Sequence, residues 1–182
     1  YHRTIDWDAL YRRYPVPDVF ANTRWKWSAD EIRAFQTEQF LDLMKTGWEN
    51  EFYKRRWRAE GLEPGDIRSI DDIVKLPTFD SSDIKKDQEE NPPFGLINGD
   101  VTTRMQTTPM KLQTSGGTTG KPRPTLYAPQ EWELNGLTHA RVLYIVGVRP
   151  GDRVQIPHTC SLGNAGWCCY KAAHDYLGAL PL

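Results

Sequence analysis

Thr114-Ser115-Gly116-Gly117-Thr118-Thr119-Gly120-Lys121-Pro122-Arg123 places three glycines, four hydroxyl side chains and one lysine within ten residues. Segments that build a core do not look like this. Glycines free the backbone to turn successive amides toward an anion, hydroxyls donate further hydrogen bonds, and lysine adds a point charge suited to phosphate. The stretch therefore reads as a triphosphate-binding turn. It is not a P-loop, because the Walker A pattern counted back from Gly120-Lys121 needs glycine where Ser115 stands and Ser or Thr where Pro122 stands. Glycine content alone also suits a plain hairpin turn.

Working outward, Lys111-Leu112-Gln113-Thr114 and Pro124-Thr125-Leu126-Tyr127 are short extended pieces, which makes a strand, loop, strand pattern. Residues 132–146 carry Leu134, Leu137, Ala140, Leu143 and Tyr144 at spacings that predict a helix buried on one side. Arg149-Pro150-Gly151-Asp152 is a turn by composition, and Val154-Gln155-Ile156 a strand. Residues 163–176 predict a second helix with Trp167, Tyr170, Ala173 and Leu177 facing inward. Helices alternating with strands after residue 110 predict an α/β layer.

Upstream the pattern is helical. Ser28-Ala29-Asp30-Glu31 has capping-box form, so a helix starts there; Gly47 and Asn50 break it before a second helical piece through Ala59, with Gly61 as its C-cap. Ser69 opens a short helix to about Val74 that Pro77 stops, and a capped segment runs from Ser81 or Ser82 to Pro92-Pro93. Residues 1–27 are rich in Trp, Tyr, Arg and Pro, and Pro15-Val16-Pro17 keeps Val16 out of a helix. That stretch is expected to be an extended arm wrapping a neighbouring surface, followed by one unit over residues 28–182.

The chain has 182 residues, with 23 Lys plus Arg against 24 Asp plus Glu and a net charge of −1. Balanced charge argues against a polyanion binder, since counterion release from nucleic acid needs a basic surface. The uncharged stretch over residues 154–170 is too short and too polar to span a bilayer, and the N-terminus has no secretory pattern. A soluble, cytoplasmic protein without nucleic-acid or membrane partners is expected. Cys160, Cys168 and Cys169 are odd in number and read as reduced thiols. With His158 and His174 they are zinc-ligand types, but there is no CxxC, and consecutive helical residues project about 100° apart. No metal is expected to bind, and buried small thiols are the better account.

The run Ser115-Gly116-Gly117-Thr118-Thr119-Gly120-Lys121-Pro122-Arg123 resembles the AMP-binding signature of the adenylate-forming superfamily. The surroundings are similar to its phenylacetate-CoA ligase branch: Asn50-Glu51-Phe52-Tyr53-Lys54-Arg55-Arg56 and Gly61, then Ser69-Ile70-Asp71-Asp72-Ile73-Val74-Lys75-Leu76-Pro77, and the turn Gly147-Val148-Arg149-Pro150-Gly151-Asp152. The likeness covers residues 28–182; residues 1–27 share none of it. It implies an α/β fold, the N-terminal part of the large domain of such an enzyme, with a helical start followed by an incomplete mixed sheet flanked by helices.

The resemblance further implies that a carboxylate attacks the α-phosphorus of ATP, pyrophosphate leaves, and CoA displaces AMP from the acyl-adenylate. ATP, Mg2+ and CoA are the implied cofactors, and a small carboxylic acid, aromatic or not, the substrate. Ser115, Gly116, Gly117, Thr118, Thr119, Gly120 and Lys121 would hold the β- and γ-phosphates, with Gly116 in place of the serine more usual in that branch. Gln155-Ile156-Pro157-His158-Thr159-Cys160-Ser161-Leu162-Gly163-Asn164-Ala165-Gly166-Trp167 would border the acyl pocket. There His158 would orient a carboxylate, Ser161 and Asn164 would line the site, and Gly163 and Ala165 would leave room beside Trp167; the alternative is an ordinary loop histidine beside small residues that only let the helix pack. Arg55, Arg56 and Arg58 read as a solvated face, with a CoA phosphate as the alternative.

The resembling enzymes hold magnesium on a glutamate after an aromatic, glycine-rich turn, use an aspartate for the ribose and a lysine in a small C-terminal domain. Residues 1–182 contain none of these. The catalytic groups are therefore expected elsewhere, and the chain is expected to be a fragment or subunit, with the rest of the enzyme, a second subunit or another copy in a homodimer as partner. Two other readings stay open: a non-catalytic module that binds a protein through Trp7, Trp25 and Trp27, and an adenylating enzyme that loads a carrier-protein thiol.

Overall fold

Residues 1–115 and 122–182 are described by a computed structural model of the chain. In chain order the helices are α1 (Trp7–Arg13), α2 (Pro17–Asn22), α3 (Ala29–Glu49), α4 (Glu51–Ala59), α5 (Ser81–Glu90) and α6 (Val101–Arg104). Strands β1 (Lys111–Thr114) and β2 (Pro124–Tyr127) then precede α7 (Pro129–Ile145), β3 (Arg153–Val154), α8 (Asn164–Lys171) and β4 (Leu180–Pro181). Two compact units result, one of residues 1–26 with 102–182, the other of residues 27–101. This differs from an arm followed by one unit. No described helix is long and apolar enough to cross a membrane.

In the unit of residues 27–101 the local signals act as read. The Ser28 hydroxyl accepts from Glu31 N at 3.3 Å while the Glu31 carboxylate accepts from Ser28 N at 2.8 Å, closing the capping box of α3. Asn50 ends α3 and caps α4, its side chain accepting from Phe52 N at 2.9 Å. Beyond α4, Gly61 takes a φ of +76°, its N–H donates to the Arg58 carbonyl at 3.0 Å, and Leu62 N donates to Trp57 at 3.0 Å. That pair of bonds is a Schellman closure, and Leu62 then packs back on the cluster of Phe40, Met44, Trp57 and Ile67. The α5 cap is Asp80, one residue before the serines, because its carboxylate accepts from both Ser82 N and Asp83 N. Ser69 opens a 3-10 helix over Ile70–Lys75.

In the other unit residues 1–26 are mostly helical and do not form an extended arm. Asp6 accepts from Ala9 N at 2.9 Å and starts α1, and Pro17 sits in the first turn of α2, where its missing N–H costs nothing. Val16 keeps the extended backbone expected of it, with ψ 160°. Arg141 of α7 grips this segment: Nε and Nη2 donate to the Pro15 carbonyl at 2.9 and 2.6 Å, and the guanidinium lies 4.5 Å from the Phe20 ring. Burial, then the nearby Arg24 charge, bring the Arg141 pKa down to about 10.

The strands pair as β1 with β2, antiparallel, and β3 with β4, parallel. α7 packs through Ala140 against Ala172 and Leu177, which follow α8. The last helix buries Ala173 and Leu177 as expected, with Cys168 and Ala172 beside them, but Tyr170 is exposed, and the coil widens to a π-turn over Ala172–Tyr176. The cause is Lys171. Its ammonium donates to the buried Glu133 carboxylate at 3.0 Å and to Asp175 at 2.9 Å, which fixes the rotation of α8. Burial alone would lower the Lys171 pKa, but the two carboxylates hold it above its ordinary value. Glu133 also accepts from the hydroxyls of Tyr1 at 2.7 Å and Tyr176 at 2.8 Å.

Removing one partner of a buried ion pair strands the other charge. Lys171→Met is expected to lower stability by about 3–5 kcal/mol in urea unfolding, and adding Glu133→Leu to recover most of that loss. Gln113 is a second prediction. It is 2% exposed, and neither side-chain amide atom has a hydrogen-bond partner among the described residues. Since an unmet buried polar group costs about 1–3 kcal/mol, Gln113→Leu is expected to raise Tm; a lower Tm would mean that the amide is engaged.

Candidate functional site

Beyond the β1–β2 ladder, Ser115 N donates to the Arg123 carbonyl at 3.0 Å and Arg123 N donates to Ser115 Oγ at 3.2 Å. These bonds clamp the two ends of the glycine-rich turn. Ser115 thus accepts through its hydroxyl oxygen at the base of the turn. The other expected phosphate contacts, Gly116, Gly117, Thr118, Thr119, Gly120 and Lys121, lie outside the described residues.

The outer edge of β1 meets the segment expected to border the acyl pocket. Thr114 N donates to the Leu162 carbonyl at 2.8 Å. Two stretches 48 residues apart in sequence are thereby joined at the root of the turn. Within the second stretch, His158, Ser161 and Ala165 are exposed, and Gly163 and Asn164 half-buried. The Ser161 carbonyl accepts from Trp167 Nε1 at 2.7 Å, and its hydroxyl accepts from Gly163 N at 3.4 Å. The Asn164 amide oxygen accepts from Asn135 Nδ2 at 2.9 Å, so this side chain anchors α8 to α7.

Gly166 sets how close α8 comes. A Cβ there would lie 2.5 Å from the Thr159 carbonyl oxygen and 3.0 Å from that of His158, so the helix rests directly on this backbone. His158 is therefore held by its main chain while its imidazole stays exposed. Lys111, which the sequence reading passed over, places its ammonium 4.4 Å from the centre of the Trp167 ring and 5.2 Å from that of Trp132. Alternation in the sequence would turn the apolar Leu112 inward, whereas Leu112 is exposed and Gln113 buried, so no sequence signal pointed to Lys111. Cys160 is exposed and apart from the other two thiols. Cys168 and Cys169 come together with His139 of α7, a residue the spacing of residues 158–174 gave no reason to include.

A separate cavity of about 460 Å³ in the same unit is lined by Tyr1, Trp7, Tyr11, Glu133 and Lys171. Its charged groups are spent on one another, which makes it a joint between helices. In the other unit Arg56 pairs with Asp83 at 2.7 Å and lies over the Phe52 ring, consistent with a structural duty.

No protein-family model matches the chain. The phenylacetate-coenzyme A ligase of Aromatoleum evansii is 30% identical over 142 residues, 78% of this chain and 30% of that protein. That of Escherichia coli K12 is 29% identical over 153 residues, 84% of this chain and 33% of the relative. The chain thus spans about a third of the length of the curated relatives it matches. A crystal structure of 2-hydroxyisobutyryl-CoA ligase with 2-HIB-AMP and CoA superposes on 85% of the chain, with TM-score 0.75 and 25% identity, covering 32% of that protein. The same ligase in an open conformation gives a TM-score of 0.70 over 84% of the chain. The turn at residues 115–123, the fold around it and these relatives agree: the chain belongs to the adenylate-forming superfamily, in its phenylacetate-CoA ligase-like branch, among the acyl-CoA ligases.

Proposed function

We propose that the full-length protein is an ATP-dependent ligase that activates a carboxylic acid as its acyl-adenylate and passes the acyl group to CoA. This chain would supply the phosphate-binding turn and one wall of the acid pocket. The observation that carries the reading is the bond between Thr114 and Leu162. Attack of a carboxylate on the α-phosphorus of ATP requires acid and triphosphate to be held side by side, and that bond ties the roots of the two segments that would hold them.

The division of labour follows from residue type. Amides of Gly116, Gly117 and Gly120, the hydroxyls of Ser115, Thr118 and Thr119, and the Lys121 ammonium would stabilise charge building on the leaving pyrophosphate. His158 would orient the acid's carboxylate, with Gly163 and Ala165 leaving space beside Trp167 for a flat or branched group, and Ser161 and Asn164 holding that wall in place. Magnesium would neutralise phosphate charge and asks for hard oxygen donors. Among the described residues the one group of three His, Cys, Asp or Glu side chains is thiol-rich and does not suit it.

Lys121→Ala in the full-length protein is expected to cut kcat/KM for ATP by about 10²–10³-fold, the scale of losing one oxyanion donor, with KM for the acid little changed. Pyrophosphate exchange measures it, and unchanged kinetics would remove the turn from the mechanism. A wild-type protein with no affinity for ATP or an acyl-AMP analogue would favour a non-catalytic module. Gly166→Ala probes the other wall: by pushing on the backbone of residues 158–159 it is expected to raise KM for the acid while KM for ATP stays near wild type.

A further inference from the structure

We propose that His139, Cys168 and Cys169 form a binding site for a thiophilic divalent transition ion, zinc being the ion that this ligand set suits. Cys169 Sγ lies 3.5 Å from His139 Nε2, and all three ligand atoms lie within 4.8 Å of one another. A tetrahedral zinc about 2.3 Å from sulfur and about 2.0–2.1 Å from nitrogen places a sulfur and a nitrogen roughly 3.6 Å apart and two sulfurs roughly 3.8 Å apart. The Cys169 and His139 pair already stands at the separation an ion demands. Cys168 closes the remaining distance by a side-chain turn, exchanging its weak thiol hydrogen bond to the Ala165 carbonyl, 3.2 Å, for a metal bond.

Consecutive helical residues diverge, which argues against two adjacent cysteines meeting one ion in an isolated helix. The third ligand changes this. His139 comes from a different helix, α7, and α8 is rotated by the Lys171 and Glu133 pair so that both thiols flank that imidazole. Cys168 is buried and the other two are half-buried, so the ion would be shielded without being sealed in. No fourth His, Cys, Asp or Glu joins the group among the described residues. Three protein ligands and one open position describe a site that takes water or an outside ligand as its fourth partner. On binding, each thiol gives its proton to solvent and the imidazole stays neutral. The ion would clamp α8 to α7, and with it the stretch at residues 158–165. The site rests on the helix pair alone and is independent of the ligase reading.

The test uses the full-length protein, freed of metal with a chelator and titrated with Co2+ as a spectroscopic stand-in. One Co2+ per chain with thiolate-to-cobalt charge-transfer absorption and intense tetrahedral d–d bands is expected, with Zn2+ displacing it. His139→Ala and Cys169→Ser are each expected to weaken binding by more than about tenfold, whereas Cys160→Ser, outside the cluster, leaves it unchanged. Should a variant fail to fold by circular dichroism, alkylation of the wild type decides: Zn2+ is expected to protect Cys168 and Cys169 and leave Cys160 reactive. Absence of a stoichiometric cobalt signal, full binding in both folded variants, or equal alkylation of the three thiols with and without Zn2+ would overturn the proposal.

Discussion

A buried carboxylate sets the geometry of the unit that carries the site. Glu133 is 5% exposed, and an ion so placed persists only if its lone pairs are met. Lys171 and two tyrosine hydroxyls meet them, and three stretches of chain, residue 1, α7 and the region from α8 to Tyr176, are drawn to one point. Because an ion pair in a dry setting tolerates little angular error, α8 cannot rotate about its axis without stranding a charge. The positions of Asn164 against Asn135, of Gly166 over Thr159, and of the two thiols beside His139 are all consequences of that rotation. Gly136 makes the approach feasible: a Cβ there would meet the Lys171 Cβ at 2.9 Å and the Tyr176 ring at 3.1 Å.

The unit of residues 27–101 works on another principle. Helices α3, α4 and α5 are short-range products, each begun by a side chain that accepts from the first turn, and the unit is packed around Trp57, whose ring meets Trp48 at 5.0 Å between centroids and Tyr53 at 5.7 Å. Gly47 belongs to this packing and not to a helix break. A methyl at that position would come 2.4 Å from the Trp57 ring, so α3 is left bare where the indole lies against it.

What was legible in the sequence follows that contrast. Ser28, Ser69 and Gly61 act within four residues of themselves, so their letters suffice, and the hairpin joins strands that are neighbours in sequence. The start of α1 was legible in principle, since Asp6 precedes Trp7 as a cap, but the aromatic and proline content of the stretch masked it. The face of the last helix was legible only in part: Ala173 and Leu177 are buried as their periodicity predicts, but periodicity weighs Tyr170 as apolar, while the rotation is imposed by a charge on another helix. His139 is the same case, a ligand-type residue 29 positions before Cys168 whose relevance exists only once two helices cross. The bond between Thr114 and Leu162 likewise uses backbone atoms, which carry no residue signature.

The grip of Arg141 on the Pro15 carbonyl carries a consequence for kinship. A guanidinium that fastens a main-chain oxygen is indifferent to the side chain borne by the residue it holds, so at that point the leading stretch is tethered by its path. Selection acting through such a tether leaves the letters free to drift, and ancestry in that stretch is better traced by superposing backbones than by aligning residues.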